Sequence, residues 1–331
     1  MNAAAMNNAV NNKPSNKLFS FVKNWWPYLI GFAIFAYLLT QIDISAAVSA
    51  TSSANIFLVV IAYLLQIPMF VLKALRWQYM MRQQGINYSL KDSLSMYFAA
   101  MYIGFITPGR VAELLKASYL TKDGHPFGRA FFSVFFDRLA DLLFLAVIGY
   151  AGLFFFQNLF RNQILWLSLL AAVEVVVAAV LIAKRGWAKS LLKRLLVKIV
   201  PSKHKGSVQV HVEDFYASLK IFNLKSTAVV VLLTAFSYLF FFAIAVLLAE
   251  SIGIKVSYSL IIVSIAIATL VTLLPVSLAG VGTRDASLLL MLGSLGVAKE
   301  TIIAYSTLNL LANLIVIAIS AHFWFRKPIR F

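Results

Sequence analysis

The chain has 331 residues, 61% of them hydrophobic and only 12% charged, which excludes an ordinary soluble domain of this size. Its net charge of +17, from Lys+Arg 29 against Asp+Glu 12, suits either nucleic-acid binding or the basic cytoplasmic loops of a membrane protein, and the apolar content selects the second. With Cys 0 there is no disulfide framework, thiolate zinc site or palmitoylation site.

In chain order, residues 1–24 are Asn/Ala-rich with Lys13, Lys17 and Lys23, and read as a disordered cytoplasmic N-terminus. Trp25-Trp26-Pro27 then anchors an uncleaved first span at the interface, although Ala47-Val48-Ser49-Ala50 offers the small residues of a signal-peptide cleavage site. Apolar runs at 26–42, 56–72, 142–156, 164–183, 228–249 and 301–325 reach or approach the roughly 20 residues that cross about 30 Å of hydrocarbon. The expected fold is an all-α integral membrane protein with about six full transmembrane helices.

Basic residues fall in five segments: Lys13, Lys17 and Lys23; Lys73, Arg76, Arg82 and Lys91; Lys116, Lys122 and Arg129; ten residues in 184–225; and Arg326, Lys327 and Arg330. Placing all five inside leaves only Arg161, Lys255 and Lys299 in the opposite loops, with Arg110, Arg138 and Arg284 at membrane depth. The expectation is a multi-pass protein of the cytoplasmic (inner) membrane with both termini cytoplasmic, divided into membrane halves at 25–183 and 226–325, a basic cytoplasmic segment at 184–225 and a tail at 326–331.

That assignment makes 90–122 enter and leave from the cytoplasm and 257–297 enter and leave from outside. Each is predicted to be a hairpin of broken half-helices, turning at Thr107-Pro108-Gly109 and from Pro275 through Gly280-Val281-Gly282. Pro108-Gly109-Arg110-Val111-Ala112-Glu113-Leu114-Leu115 and Gly280-Val281-Gly282-Thr283-Arg284-Asp285-Ala286-Ser287-Leu288-Leu289 share a breaker, an arginine, an acid and an apolar helix, which suggests an inverted repeat. Between the halves, 187–200 reads as an amphipathic interfacial helix with Lys189, Lys193 and Lys198 towards lipid phosphates; Pro201 ends it, and a second helix from about 207 to 222 leads into the next span.

Ionisable groups at the centre of a membrane helix cost roughly 2.5–3.5 kcal/mol each, so those retained there need a reason. Arg110, Glu113 and Lys116 follow the first turn, and Arg110 and Glu113, three apart, are predicted to pair. Asp137 and Asp141 share a face; with a helix start near Gly128 they lie about 14 and 20 Å along it, and Arg110 or Arg284 is the expected counter-charge. Two readings stand: buried ion pairs that hold helix register, or an anion site in which a half-helix N-terminus and its arginine face a phosphate. Glu174 is either a proton site or a bundle contact. His125, His204, His211 and His322 lack metal-ligand spacing, and Asp137-x-x-x-Asp141 alone is a weak metal motif. With no P-loop and no His-Glu-x-x-His, no catalytic residue, metal or cofactor is expected.

Thr107-Pro108-Gly109-Arg110-Val111-Ala112-Glu113-Leu114-Leu115, Asp137-Arg138-Leu139-Ala140-Asp141 and Pro275-Val276-Ser277-Leu278-Ala279-Gly280-Val281-Gly282-Thr283-Arg284-Asp285 together resemble the lysylphosphatidylglycerol synthase transmembrane region, or flippase-like proteins, over about 25–325. The resemblance implies movement of a lipid headgroup between leaflets. It also implies that the aminoacyl transferase fused to larger members is missing from a chain that ends at Phe331. Ala112 stands where Gly is expected and Asp285 where Glu is more usual.

The expected substrate is an anionic phospholipid or polyprenyl-linked lipid, bound by Arg110, Glu113, Asp137, Arg138, Asp141, Arg284 and Asp285 around Pro108, Gly109, Gly280 and Gly282. A homo-oligomer or partners in envelope biosynthesis fit the same expectation, and nucleic acid does not. The competing readings are a non-transporting subunit of a glycolipid or cell-envelope assembly system, and a membrane-embedded transferase acting on a lipid phosphate.

Overall fold

The computed structural model describes residues 44–105, 107–158, 205–221, 223–272 and 280–326, and every regular element among them is helical. These are α1 (Ile44–Ser52), α2 (Ile56–Leu64), α3 (Gln66–Gln83), α4 (Leu90–Phe105), a 3₁₀ helix (Pro108–Leu115), α5 (Lys116–Lys122), α6 (Phe127–Phe155), α7 (Lys205–Ile221), α8 (Leu224–Ser251), α9 (Tyr258–Thr272), α10 (Thr283–Gly293) and α11 (Lys299–Arg326).

The Asn55 side chain caps α2, accepting hydrogen bonds from the N–H groups of Phe57 and Leu58 at 3.1 and 3.4 Å. Only Leu65 separates α2 from α3, where Pro68 lacks the N–H that would bond back to Leu64. The two helices form one apolar segment, Ile56–Gln83, of 28 residues. At 1.5 Å per residue it is about 42 Å long, more than a bilayer core requires.

Leu224–Ser251 and Lys299–Arg326 also have the length and apolarity to cross a membrane, and α9, at 15 residues, is apolar but shorter. Ile56, Phe57, Leu232, Leu239 and Leu314 stand exposed on the long helices, as a lipid-facing surface requires and a water-facing one does not.

Three long apolar helices among the described residues thus stand against six predicted spans. Runs 26–42 and 164–183 lie outside the described residues, as do Glu174, His204, the amphipathic stretch 187–200 and the turn at Pro275. The run at 142–156 is the second half of α6, whose 29 residues begin at Phe127, close to the predicted start. The predicted span at 56–72 runs on to Gln83, because no glycine or proline interrupts the chain between Pro68 and Gly85. Lys73 and Arg76, expected in a cytoplasmic loop, therefore sit on a packed helix.

Helix α3 packs along α8, α4 along α11, and α9 lies between α6 and α10. Trp77, Phe105, Leu120, Leu248 and Tyr305 are buried in the main core. The helix predicted near 207–222 is α7, which packs on the N-terminal half of α6 through Phe132, Phe215 and Tyr216. Contact there is closest at Gly128: a Cβ at this position would stand 2.2 Å from the carbonyl oxygen of His211. The cluster anchors the part of α6 that carries Asp137, Arg138 and Asp141.

Candidate functional site

The centre of the charge cluster is Arg76, which has no exposed surface. Its Nε donates to Asp137 Oδ1 at 2.9 Å, and its Nη2 lies 2.7 Å from that oxygen and donates to the Asp137 carbonyl at 3.0 Å. Nη1 donates to Asp141 Oδ1 at 2.8 Å and to Thr234 Oγ1 at 2.9 Å. The Thr234 hydroxyl directs its own proton to the Val230 carbonyl at 2.7 Å, which leaves its oxygen free to accept from Arg76. One guanidinium thus holds both acids of α6 and ties α3 to α8.

Two lysines complete the cluster. Lys116 Nζ donates to Asp137 Oδ2 at 2.8 Å, and the rings of Tyr97 and Trp77 lie 4.2 and 4.9 Å away. Lys73 Nζ donates to Asp141 Oδ1 at 3.1 Å, with the Tyr238 ring 4.5 Å away. Asp137 and Asp141 therefore find their counter-charges in Arg76, Lys116 and Lys73. Neither Arg110 nor Arg284, the partners expected from sequence, is in ion-pair contact with them among the described residues.

The first turn also departs from expectation. After Thr107 the chain reverses and packs against α4, but as a 3₁₀ helix over Pro108–Leu115, with α-geometry resuming only at Lys116. The Thr107 hydroxyl donates to the carbonyls of Ile103 and Gly104, at 3.2 and 3.1 Å, and accepts from the Ala112 N–H at 3.3 Å.

Arg110 has φ 55°, and is alone among the non-glycine described residues in a positive-φ conformation. That backbone breaks the helical register that would set its side chain beside Glu113, so the predicted pair does not form. The guanidinium instead sits 4.3 Å from the ring centre of Phe105. Its electrostatic neighbours are Arg138 and Arg284, which repel it, and the phenols of Tyr97 and Tyr238.

Glu113, 1% exposed, pairs with Arg138 of α6. Glu113 Oε1 and Arg138 Nε, the other acceptor and donor of this pair, are buried and have no further hydrogen-bond partner among the described residues. Glycine at 104 gives the acid its place: a Cβ there would fall 2.1 Å from Glu113 Cγ.

The second turn is closed on itself. Gly280 and Gly282 have φ values of 81° and 80°, which only glycine adopts freely. The Gly282 N–H donates to the Asp285 carboxylate at 2.7 Å, capping α10. Arg284 Nε donates to Ser306 Oγ at 2.9 Å, its Nη2 donates to the Ser306 carbonyl at 3.1 Å, and the Ser306 hydroxyl donates to Asp285. These bonds bind α10 to α11.

Sequence reasoning missed Lys73 and Arg76, and counted Lys116 both in a basic cytoplasmic segment and among the charges at membrane depth after the first turn. A usable signal was present: Lys73 and Arg76, three apart on a stretch without helix breakers, share one helix face, as Asp137 and Asp141, four apart, share another. Among the described residues no group of three or more His, Asp or Glu stands close enough to hold a metal ion.

Residues 24–321 match the family described as the lysylphosphatidylglycerol synthase TM region. A UPF0104 membrane protein of Methanocaldococcus jannaschii is 25% identical over 311 residues, covering 87% of this chain and 90% of the relative. A UPF0104 membrane protein of Archaeoglobus fulgidus is 28% identical over 138 residues, 39% of this chain and 42% of that protein.

Proposed function

The chain belongs to the lysylphosphatidylglycerol synthase transmembrane-region family of membrane proteins, and on that premise we propose that it is a flippase-like translocase for an anionic, phosphate-bearing lipid. The observation that carries this reading is the imbalance of charge inside the bundle. Among the described residues, Lys73, Arg76, Lys116 and Arg138 pair with three acids, Glu113, Asp137 and Asp141, and Arg110 adds a fifth positive charge that feels Arg138. A buried surplus of positive charge is costly unless an anion joins it, and the anion most abundant at a membrane is a lipid phosphate.

The roles divide by how each base is already engaged. Arg76, Lys73 and Lys116 neutralise Asp137 and Asp141 and hold the bundle. Arg110, with the Phe105 ring beneath it and no carboxylate in contact among the described residues, takes the phosphate together with Arg138. In this reading the substrate is an anionic phospholipid or polyprenyl-linked lipid of the cytoplasmic membrane, and both chain termini are cytoplasmic.

The test is a leaflet-exchange assay. The full chain is reconstituted into liposomes with a trace of phosphatidylglycerol carrying a fluorophore on its acyl chain, and dithionite is added outside. Protein-containing vesicles are expected to lose the protected inner-leaflet signal, whereas empty vesicles and vesicles with Arg110→Gln keep it. Retention of that signal by the wild-type protein would end the translocase reading.

A further inference from the structure

The segment Pro108–Leu115 carries three local irregularities at once. It is a 3₁₀ helix of 8 residues, whereas such runs are uncommon beyond about three or four. Within it Arg110 holds φ 55°, a conformation that is costly for a residue with a Cβ. The Ala112 N–H, which in an α-helix would bond to the Pro108 carbonyl, goes instead to the Thr107 hydroxyl at 3.3 Å. Yet the residue types favour the α form, with Pro108 suited to a helix start and Ala112, Glu113, Leu114 and Leu115 to its interior. Helix α5 follows without a break at Lys116, and the similar stretch after Gly282 is regular α-helix over Thr283–Gly293.

We propose, resting on the translocase reading above, that 108–115 is a switch that winds into the α form during transport and carries Glu113 from Arg138 to Arg110. On a regular helix Arg110 and Glu113, three apart, are neighbours and can pair. In the 3₁₀ form Glu113 pairs with Arg138, and Arg110 has no carboxylate in contact among the described residues. Winding reverses this: Arg110 gains the acid, Arg138 loses it, and the arginine left for a lipid phosphate changes from one to the other. The buried carboxylate keeps a partner in both forms, which spares the cost of stranding it.

Two features hold the 3₁₀ form. Glycine at 104 leaves the space that Glu113 occupies, since a Cβ there would fall 2.1 Å from Glu113 Cγ. The Thr107 hydroxyl is the latch, donating to the carbonyls of Ile103 and Gly104 and accepting from the Ala112 N–H, so that it ties the segment to α4. An α-helix rises less per residue than a 3₁₀ helix, and winding the segment shortens it by about 4 Å.

The experiment reads that shortening. The chain has no cysteine, so Tyr102→Cys on α4 and Lys122→Cys, exposed at the end of α5, each take one nitroxide label, and double electron–electron resonance measures their separation in the full chain in liposomes. Arg138→Gln deprives Glu113 of its partner in the 3₁₀ form, and Thr107→Val removes the latch. Each is expected to shorten the distance by about 4 Å relative to the labelled parent. Arg110→Gln, which removes the partner in the wound form, is expected to keep the parent's distance. Should Arg138→Gln fail to fold, Thr107→Val decides. A distance that stays at the parent's value in Thr107→Val and in any folded Arg138→Gln overturns the switch, and lipid exchange by the parent then leaves the translocase reading standing. Shortened distances in a chain that exchanges no lipid keep the switch and end the translocase reading.

Discussion

The two turns that follow helix breakers share an arginine, an acid and an apolar helix, yet their arginines have opposite situations. Arg284 is bonded twice to Ser306 and stands beside Asp285, whose carboxylate also caps α10 and accepts from the Ser306 hydroxyl. Arg110 lies in a left-handed backbone conformation against Phe105, with two other arginines as its neighbours. Similar residues thus make a closed clasp in one place and an open cation in the other. The regular α-helix at the second turn and the 3₁₀ helix at the first are the backbone expression of that difference. Strain of this kind persists where the surroundings impose it, and it concentrates at binding sites.

The comparison presupposes that the acids of α6 are already neutralised and make no demand on Arg110. Arg76→Leu tests this most severely, since it strands Asp137 and Asp141 without their shared partner. Losing one side of a buried pair costs about 3–5 kcal/mol, so the purified variant is expected to unfold at a markedly lower temperature or to fail to accumulate. A variant as stable as the wild type would show that some other cation, Arg110 first, can reach those acids.

Ser306→Ala addresses the clasp. It removes a hydroxyl that both accepts from Arg284 and donates to Asp285, with an expected loss of about 1–3 kcal/mol in thermal or denaturant unfolding and no change in lipid exchange per folded molecule. A fall in exchange at unchanged stability would make the second turn part of the transport site.

The smallest expected effect has the opposite sign. Arg110→Gly places at φ 55° the residue that adopts it freely, and removes a cation from beside Arg138. Stability is expected to rise by about 1 kcal/mol, read as a higher midpoint of unfolding, while exchange is lost. Destabilisation would instead mean that the Phe105 contact outweighs the strain.

Much of this was legible before any coordinates. Composition excluded a water-soluble protein, and Asp137, Asp141, Arg110, Glu113, Arg138, Arg284 and Asp285 were singled out by their improbability at membrane depth. What stayed hidden was the pairing. Lys73 and Arg76 close an apolar run, and a rule that assigns such bases to a cytoplasmic loop cannot distinguish them from residues on a helix that simply continues. Lys116 stood in both groups, a base of the cytoplasmic count and a charge at membrane depth, and only its contact with Asp137 decides between them. The failed Arg110–Glu113 pair has a different origin. A spacing of three predicts contact only on a regular helix, and the chain departs from one at the arginine itself, a local conformation that residue spacing does not encode.

The most direct test of the asymmetry sets Arg110→Gln beside Arg284→Gln in the same leaflet-exchange assay, with unfolding measured on each preparation. The account predicts that Arg110→Gln abolishes exchange at near wild-type stability, and that Arg284→Gln lowers stability while the folded fraction still exchanges lipid. Exchange undiminished in Arg110→Gln, or lost equally in both variants at wild-type stability, would contradict it.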